Sequence, residues 1–457
     1  NLIAAVVDPN IALEGSAILG EATNIRVTII DDEMPGGVDP GFKLKGGANG
    51  PVFAILVDQD ERILLGGDFT RVGGVNYGHV SRLHPDGYVD SSFNIGTGLD
   101  DIVWALGVQT DRKPVPGGRY ENIDGNPVVA LGRLNADGVF DDTFGIDIGV
   151  DGEVFAVAVQ PDGGIIIGGD FKKVAGVDAK NIARLNPDGT LDPTFAVGSG
   201  ADKSVRDIAI QDDGKLVVVG EFGVLSGAAF GKVARLNPDG TADVEFTPGM
   251  GANGIVHSVG LQQDGGIIVA GLFTTFDGKD YPYVARLLTN GTLDEEWGGA
   301  ATGINGAVFD VGTLSDGKVI IGGEFTEISG YSRNSYARLH YNGELDRNFD
   351  PGEGVNGPVF TVAIQPDGNI LLGGQFTQVG EYEQNNIARV FGGEQFALGR
   401  VEFRAPRIEY DEGVATYELK VIRSGKVQEP VTVQYKTVDG TAKQGEDFTA
   451  ATGDITF

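Results

Sequence analysis

The 457-residue chain has no cysteine, two methionines, two tryptophans and four histidines. Without cysteine there is neither a disulfide framework nor thiol chemistry, and the absence leaves the compartment open. Positive charge is scarce as well: 34 Lys and Arg stand against 65 Asp and Glu, a formal net charge of −31. So acidic a surface repels nucleic acid and anionic lipid, so neither is expected as a partner. No run reaches the ~18 apolar residues of a membrane-spanning helix, which argues against insertion. Asn1 opens in mid-pattern without a signal peptide, so the chain reads as part of something longer. Helical periodicity is missing throughout the repeats described next. The acidity itself has two readings, solubility or cation binding at clustered carboxylates.

Glycine, in contrast, is abundant, with 73 residues, while the apolar fraction stays at 41%. That mixture suits an all-β protein with many tight turns rather than a disordered chain. The chain is also repetitive. Arg82, Arg133, Arg184, Arg235, Arg286, Arg338 and Arg389 recur at steps of 51 residues, with a single step of 52. The third unit, Val154 to Phe195, is the clearest: VFAVAVQPDGGIIIGGDFKKVAGVDAKNIARLNPDGTLDPTF. VFAVAVQ is continuously apolar, as expected of a strand buried on both faces. QPDGG is a turn, and IIIGGDF is a second buried strand whose paired glycines predict a bulge or a close backbone approach. NIARLN and TLDPTF, joined by a PDG turn, predict an outer hairpin. Four strands in about 50 residues, repeated seven times, predict a seven-bladed β-propeller.

The hairpin register assigns the repeated charges to architecture. A Pro187-Asp188-Gly189 turn places Arg184 opposite Asp192, and the same offset of eight joins Arg82 to Asp90, Arg133 to Asp141, Arg235 to Asp243, Arg286 to Asp294 and Arg338 to Asp346. Cross-strand pairs of opposite charge contribute about 0.2–1 kcal/mol each. Arg389 lacks such a partner, because its eighth successor is Ala397. The missing piece lies at the other end, in Val38-Asp39-Pro40-Gly41-Phe42, with Phe42 standing 51 residues before Phe93. The N-terminal segment is therefore expected to supply the outer strand of the last blade and close the ring. Unit two departs from the pattern, with Pro114 and Pro116 where a buried strand is due. Proline cannot donate to a ladder, so this strand is expected to be irregular or at an edge.

These units resemble the bacterial delta-60 repeat, whose pattern is close to AVQPDGKILVGG…ARLNPDGTLDTTF. The resemblance covers roughly residues 38 to 395, and the ARLNPDG hairpin separates it from kelch-type repeats, which also carry double glycines. It implies a propeller-like module of large secreted or surface-attached bacterial proteins and brings no catalytic residues.

The flanks differ. VTVQYKTV and YELKVIR alternate, as half-buried antiparallel strands of a sandwich do. Residues 1–33, ending in ATNIRVTIIDDE, resemble the closing strand of a Calx-β domain. The segment from Val401 through Tyr410-Asp411-Glu412-Gly413 to DGTAKQGEDF resembles the opening half. In calcium-binding members, carboxylates at one end of the sandwich converge on Ca²⁺. The resemblance places those positions on Asp31, Asp32 and Glu33 in the N-terminal piece and on Glu412 and Asp439 in the C-terminal one. Several carboxylate oxygens suit a hard cation; solvated acidic loops are the other reading. The expected organisation is the end of one sandwich (1–33), a linker and closing strand (34–46), a seven-bladed propeller (47–397) and the first half of a second sandwich (398–457). Because the two flanks are opposite ends of one domain type, the chain reads as a window on an array, or as a unit whose sandwich is completed head to tail by the next chain. Truncation of a mosaic protein is the alternative.

No HExxH, phosphate loop or nucleophile elbow is present, and a catalytic set is expected to break the repeat symmetry. His84 and His340 occupy the Asn position of RLN turns and are expected at the surface. The functional expectation is a non-enzymatic structural or adhesive module of a giant extracellular or cell-surface bacterial protein, with a surface filament as one form. Its partners would be copies of itself, neighbouring domains of the same chain, or surface glycans. The alternative is a carbohydrate- or protein-recognition propeller.

Overall fold

Each repeat folds into one blade, and the innermost strands of the seven blades contact one another in a closed ring. The structure, a computed structural model, describes residues 35–145, 148–298, 303–393 and four later strands. All regular structure among these residues is β. Contacts divide the chain into Val38–Phe391 and a second unit composed of Asn1–Gly37 with Gly392–Phe457.

Within the propeller the innermost strands are Val52–Val57, Val103–Val108, Glu153–Val159, Val205–Ile210, Val256–Leu261, Ala307–Thr313 and Val359–Ile364. Each pairs antiparallel with a second strand such as Ile165–Asp170, and that strand pairs in six blades with a third such as Ile182–Leu185. The second strands are fully buried over their apolar residues, as expected. The innermost ones are not: Val52–Val57 is half-buried at every residue after the first. An innermost strand is also an edge strand, with a neighbour on one side and the channel on the other. Its apolar run therefore covers less than its hydropathy predicted. The expected fourth strand is likewise reduced to a single bridge in each blade, Leu185↔Leu191 in blade 3. The PDG turn leaves only Leu191 in register before Asp192 turns its carboxylate back onto the following residues.

The glycine pair does both things its sequence position suggested. A Cβ on Gly168 would lie 2.5 Å from Val205 of the next blade, and one on Gly169 would lie 2.0 Å from the Glu153 carbonyl of its own blade. The first glycine lets blades approach, and the second accommodates a bulge in the innermost strand.

Blade 2 meets the edge expectation in part. Pro114–Gly118 is fully buried and pairs with Val103–Val108 as its counterparts do, but it is the outer strand of a two-stranded sheet. Leu134 donates to the Pro114 carbonyl and Gly132 to that of Pro116. The nitrogens of both prolines therefore face the third strand, away from the innermost one. The irregularity falls on residues 130–134, which keep one bridge, Gly117↔Leu131, and form no ladder.

The ring closes through the N-terminal segment. Val38 bridges Val390, the Asp39 N–H donates to the Arg389 carbonyl at 2.9 Å, and Arg389 Nε meets Asp39 Oδ2 at 2.7 Å. In the second unit, Arg400–Phe403 pairs antiparallel with Val421–Ser424, and Thr432–Lys436 with Thr452–Thr456.

Candidate functional site: an aromatic collar on the channel

Most of the repeated arginines are engaged in holding the ring; Arg286 instead bonds within its own blade, to Gln262, Asp264 and Asp294. Arg133 shows the pattern: Nε donates to Asp141 at 2.8 Å, Nη1 reaches the Pro187 carbonyl of the next blade at 2.8 Å, and the guanidinium lies 4.5 Å over the Phe144 ring. Phe144 in turn packs against Gly189 of the next turn, where φ is +87° and a Cβ would lie 2.8 Å from the ring. Arg82, Arg184, Arg235 and Arg389 repeat both the aspartate bond and the bond to the following blade. The pairing with aspartate was legible in the sequence; the bond across blades was not. These side chains hold architecture and are closed to a ligand.

A different column of the repeat faces the channel. In every blade the register of the innermost strand slips near its start, between Val154 and Ala156 in blade 3 and between Val205 and Asp207 in blade 4. The residues at this bulge are Phe53, Trp104, Phe155, Arg206, His257, Phe309 and Phe360. All seven are half-buried. A bulge turns one side chain out of the alternation of the strand, and seven equivalent bulges turn seven side chains toward one mouth of the channel. The rings meet edge to tilt: Phe53 lies 4.6 Å from Trp104 and 5.2 Å from Phe360, Trp104 6.2 Å from Phe155, and Phe309 5.6 Å from Phe360 and 5.7 Å from His257. These are the spacings of favourable aromatic pairs. The Arg206 guanidinium lies 4.3 Å over Phe155 and closes the arc on that side.

Fifteen residues beyond each bulge stands a second column, the residue that follows the glycine pair or its counterpart: Asp68, Arg119, Asp170, Glu221, Leu272, Glu324 and Gln375. Six are exposed and Glu221 is half-buried. Glu221 accepts from Arg206 Nε at 3.2 Å and also from its Nη2. Burial would raise the Glu221 pKa, and the Arg206 bonds and charge outweigh it and hold the carboxyl below its ordinary range. Arg119 is tied to Asp101 by two bonds of 2.8 and 3.0 Å. Burial, reinforced by Arg206, lowers His257 to about 4, so its imidazole is neutral at neutral pH, and its Nε2 is buried without a partner.

The residue after each bulge divides the ring. It is Ala54, Ala105 and Ala156 in blades 1 to 3, then Asp207, Ser258, Asp310 and Thr361. Asp207 Oδ2 accepts from the Val259 N–H at 2.9 Å, Ser258 donates to Asp310 Oδ1 at 2.7 Å, and Asp310 Oδ2 accepts from Val362 at 2.8 Å. Burial, with Asp310 adding, pushes Asp207 up to about 6. Paired acids of raised pKa are a signature of catalytic sites. Here their oxygens are taken up by N–H groups of their own and the next blade, which makes them ties between blades.

Of the residues expected from the sequence to hold a cation, Asp31, Asp32, Glu33, Glu412 and Asp439 all lie outside the described residues. Among the described residues no three His, Asp or Glu side chains gather as a metal site. His84 and His340 are half-buried, with side chains 46% and 37% exposed, each 3.7–3.8 Å from its hairpin aspartate. In the sequence the collar residues stand inside an apolar run and do not announce themselves. Aligned at the repeat step, F, W, F, R, H, F and F form a column whose aromatic bias and two polar breaks were there to be seen.

A closed ring of seven such blades makes the larger unit a seven-bladed β-propeller, and residues 397–457 match the Calx-beta domain. The chain belongs to the family described as a domain of unknown function (DUF5122) beta-propeller, which matches residues 59–93, 109–144, 160–195, 211–246, 262–296, 314–349 and 365–391. No curated protein matches the sequence. Among solved structures, the chain is similar to virginiamycin B lyase of Staphylococcus aureus, with 12% identity, a TM-score of 0.48 and coverage of 76% of this chain and 96% of that one. It is also similar to the extracellular domain of a protein assigned as a one-component system of B. thetaiotaomicron, with 12% identity and a TM-score of 0.46. That match covers 78% of this chain, which spans only 40% of the other. YCF48 bound to D1 peptide gives 12% identity, a TM-score of 0.45 and coverage of 80% and 99%. At such identities the likeness is one of fold. No helix among the described residues is long and apolar enough to cross a membrane.

Proposed function

We propose that this chain is a non-enzymatic structural or adhesive module of a large extracellular or cell-surface protein, in which the propeller is a rigid spacer joined to Calx-β sandwiches. The observation that supports this best is the clasp repeated from blade to blade. The repeat's charge is consumed in fixing one hairpin to the next, which makes a stiff body suited to transmitting force or setting a spacing. Partners would be neighbouring domains of the same protein or further copies in a surface filament. The test is imaging of the native protein on intact cells. Propellers at a regular longitudinal spacing are expected; monodisperse single particles would end the filament form, and recovery from the cytosol would end the extracellular one.

A second reading, recognition of a carbohydrate or protein partner, is favoured by the collar, because the side chains at the seven bulges, five of them Phe or Trp, do nothing for the hairpins. Calcium belongs to the Calx-β part of the proposal. Were Asp31, Asp32, Glu33, Glu412 and Asp439 to contribute to such sites in complete sandwiches, Ca²⁺ would raise the melting temperature by linkage. Equal calorimetric scans with Ca²⁺ and with chelator would leave those residues as solvated loops.

A further inference from the structure

Five of the repeated arginines send Nη1 across to a carbonyl of the following blade: Arg82 to Ala136, Arg133 to Pro187, Arg184 to Pro238, Arg235 to Thr289 and Arg389 to Pro85. In each of them Nε binds the clasp aspartate, which leaves Nη1 for the next blade. Arg286 departs from this. Its Nη1 binds Asp294, while Nε donates to Gln262 Oε1 at 2.6 Å and Nη2 to Asp264. The guanidinium has turned inward by one nitrogen, and these bonds all stay within blade 5. A charge-assisted bond to the next blade is the strong kind of tie, and here it is withheld.

Two residues of blade 5 account for the turn. Gly266 supplies the room, since a Cβ there would lie 2.3 Å from Arg286 Nη2. Blades 1, 2 and 4 carry Arg62, Lys113 and Lys215 at this place, each bonded to the clasp aspartate. Glycine alone is not enough, because blade 3 has Gly164 and keeps its clasp. Trp297 is the second residue. The other six positions of its column hold phenylalanine, and six arginines lie 4.5–5.0 Å over those rings. Arg286 lies over no ring among the described residues. Trp297 is 2% exposed, and its indole N–H is buried without a hydrogen-bond partner. The repeat also lengthens here: Val308 stands eleven residues after Trp297, whereas each phenylalanine of the column is followed by its valine after ten.

Along the innermost strands and at their ends the same two blades are firmly joined. Ser258 Oγ donates to Asp310 Oδ1 at 2.7 Å, Thr313 Oγ1 to the Leu261 carbonyl at 2.7 Å, and Gln262 Nε2 to the Gly317 carbonyl at 2.6 Å. At the periphery the Gly298 N–H donates to the Asn342 carbonyl at 2.9 Å, with no arginine bond to support it.

We propose that the seam between blades 5 and 6 is a hinge, fixed at the channel and free to open at its outer edge, and that Arg286 is its latch. The latch closes when the guanidinium leaves Asp264 and turns to the Tyr341 carbonyl, the counterpart of the acceptors in the other seams. A ring clasped at every seam resists strain as one body; this one has a single place at which blades 5 and 6 part while the inner circle holds. The device goes beyond the scaffold reading and fails separately from it, because imaging decides the scaffold and exchange in the isolated chain decides the hinge.

The repeat supplies its own controls. Asn94, Gly145, Ala196 and Thr247 make the same backbone bond as Gly298, each to the turn of the following blade, so the five amides gauge five seams. The experiment is residue-resolved hydrogen exchange on the full chain, read as protection factors. Gly298 is expected to be at least tenfold less protected than the other four. Gly266→Ala forces the flexible end of Arg286 out of its seat, at a backbone that is not left-handed, and should raise the protection of Gly298 at least fivefold. Asp264→Asn, an exposed and isosteric change, should act in the same direction. Gly164→Ala in blade 3, where the clasp is already made, should leave Ala196 unchanged. Circular dichroism checks that each variant folds. Protection of Gly298 equal to that of the other four would overturn the hinge. No response to either Gly266→Ala or Asp264→Asn would overturn the latch, and so would an equal rise at all five amides, which would mean stabilisation of the whole ring.

Discussion

Arg338 and Asp346 meet at 2.8 Å with side chains 4% and 2% exposed, far from the solvated cross-strand pair their spacing first suggests. Removing one member of so buried a pair strands a charge, which costs about 3–5 kcal/mol, whereas replacing both with apolar groups is often nearly neutral. Arg338→Met should therefore destabilise the propeller by about 3 kcal/mol in denaturant unfolding, and adding Asp346→Leu should recover most of it. Equal losses in the single and double variants would show that the arginine acts through Phe349 and packing instead. A second residue-scale expectation concerns pH. Asp207 is raised from 3.8 to about 6 by burial, then by Asp310. Below pH 4 it is protonated in both folded and unfolded chains. As pH climbs from 4 to 6 the unfolded chain ionises first, so the contribution of Asp207 to stability, about 3 kcal/mol for such a displacement, is lost through that window. The clasp acids have the opposite sign. For Asp90, Asp192 and Asp243, burial would raise the pKa, but hydrogen bonds and arginine charge hold it low. Their contribution is present above pH 4 and falls away in acid. Asp207→Asn should flatten the decline between pH 4 and 6 in chemical melts while leaving the acid limb intact; an unaltered slope would assign it to other groups.

At the scale of elements, blade 2 carries an unusual sequence in an ordinary place. Its second strand keeps full pairing on the inner side because the two prolines lack donors only on the outer side, where Leu134 and Gly132 still donate to it. The other six blades have Ile63, Ile165, Leu216, Ile267, Val319 or Ile370 at the first of these positions and Leu65, Ile167, Val218, Val269, Ile321 or Leu372 at the second. Replacing Pro114 and Pro116 with isoleucine restores two N–H donors. At about 0.5–1.5 kcal/mol per net hydrogen bond, the double variant should gain about 2 kcal/mol and protect residues 130–134 from hydrogen exchange. Unchanged protection would mean that the strand is held off by something other than the missing donors.

The propeller unit, Val38–Phe391, is a ring, and one seam is closed by its two ends. Six clasps join residues eight apart, whereas Arg389 and Asp39 are 350 apart. Arg389 also lies 5.0 Å over Phe42 and donates to the Pro85 carbonyl at 2.7 Å, so one side chain joins the last blade, the N-terminal segment and the first blade. Deleting residues 1–46 exposes the edge of the seventh blade and should lower the melting temperature substantially. A melting curve that does not move would show that the seam holds without the segment.

Much of this was legible in the sequence for a physical reason. A step of 51 residues is a covalent property, and each unit carries its own turns, its alternation and an Arg–Asp pair within one hairpin, so blade number, blade register and the seam at Asp39 follow from local chemistry alone. What the sequence could not decide depends on neighbouring blades and on the hole they surround. VFAVAV reads as a strand buried on both faces because hydropathy does not distinguish packing against protein from lining a narrow channel. The paired glycines of the second strand point to a bulge, but its place in the innermost strand, at Phe155, shows only where Gly169 makes room for the Glu153 carbonyl. Arg133 could be paired with Asp141 by counting, but its bond to Pro187 exists only once one blade is set beside the next. The collar is decided in the same way: seven residues 51 or 52 positions apart become neighbours because the ring closes, and closure belongs to the tertiary structure.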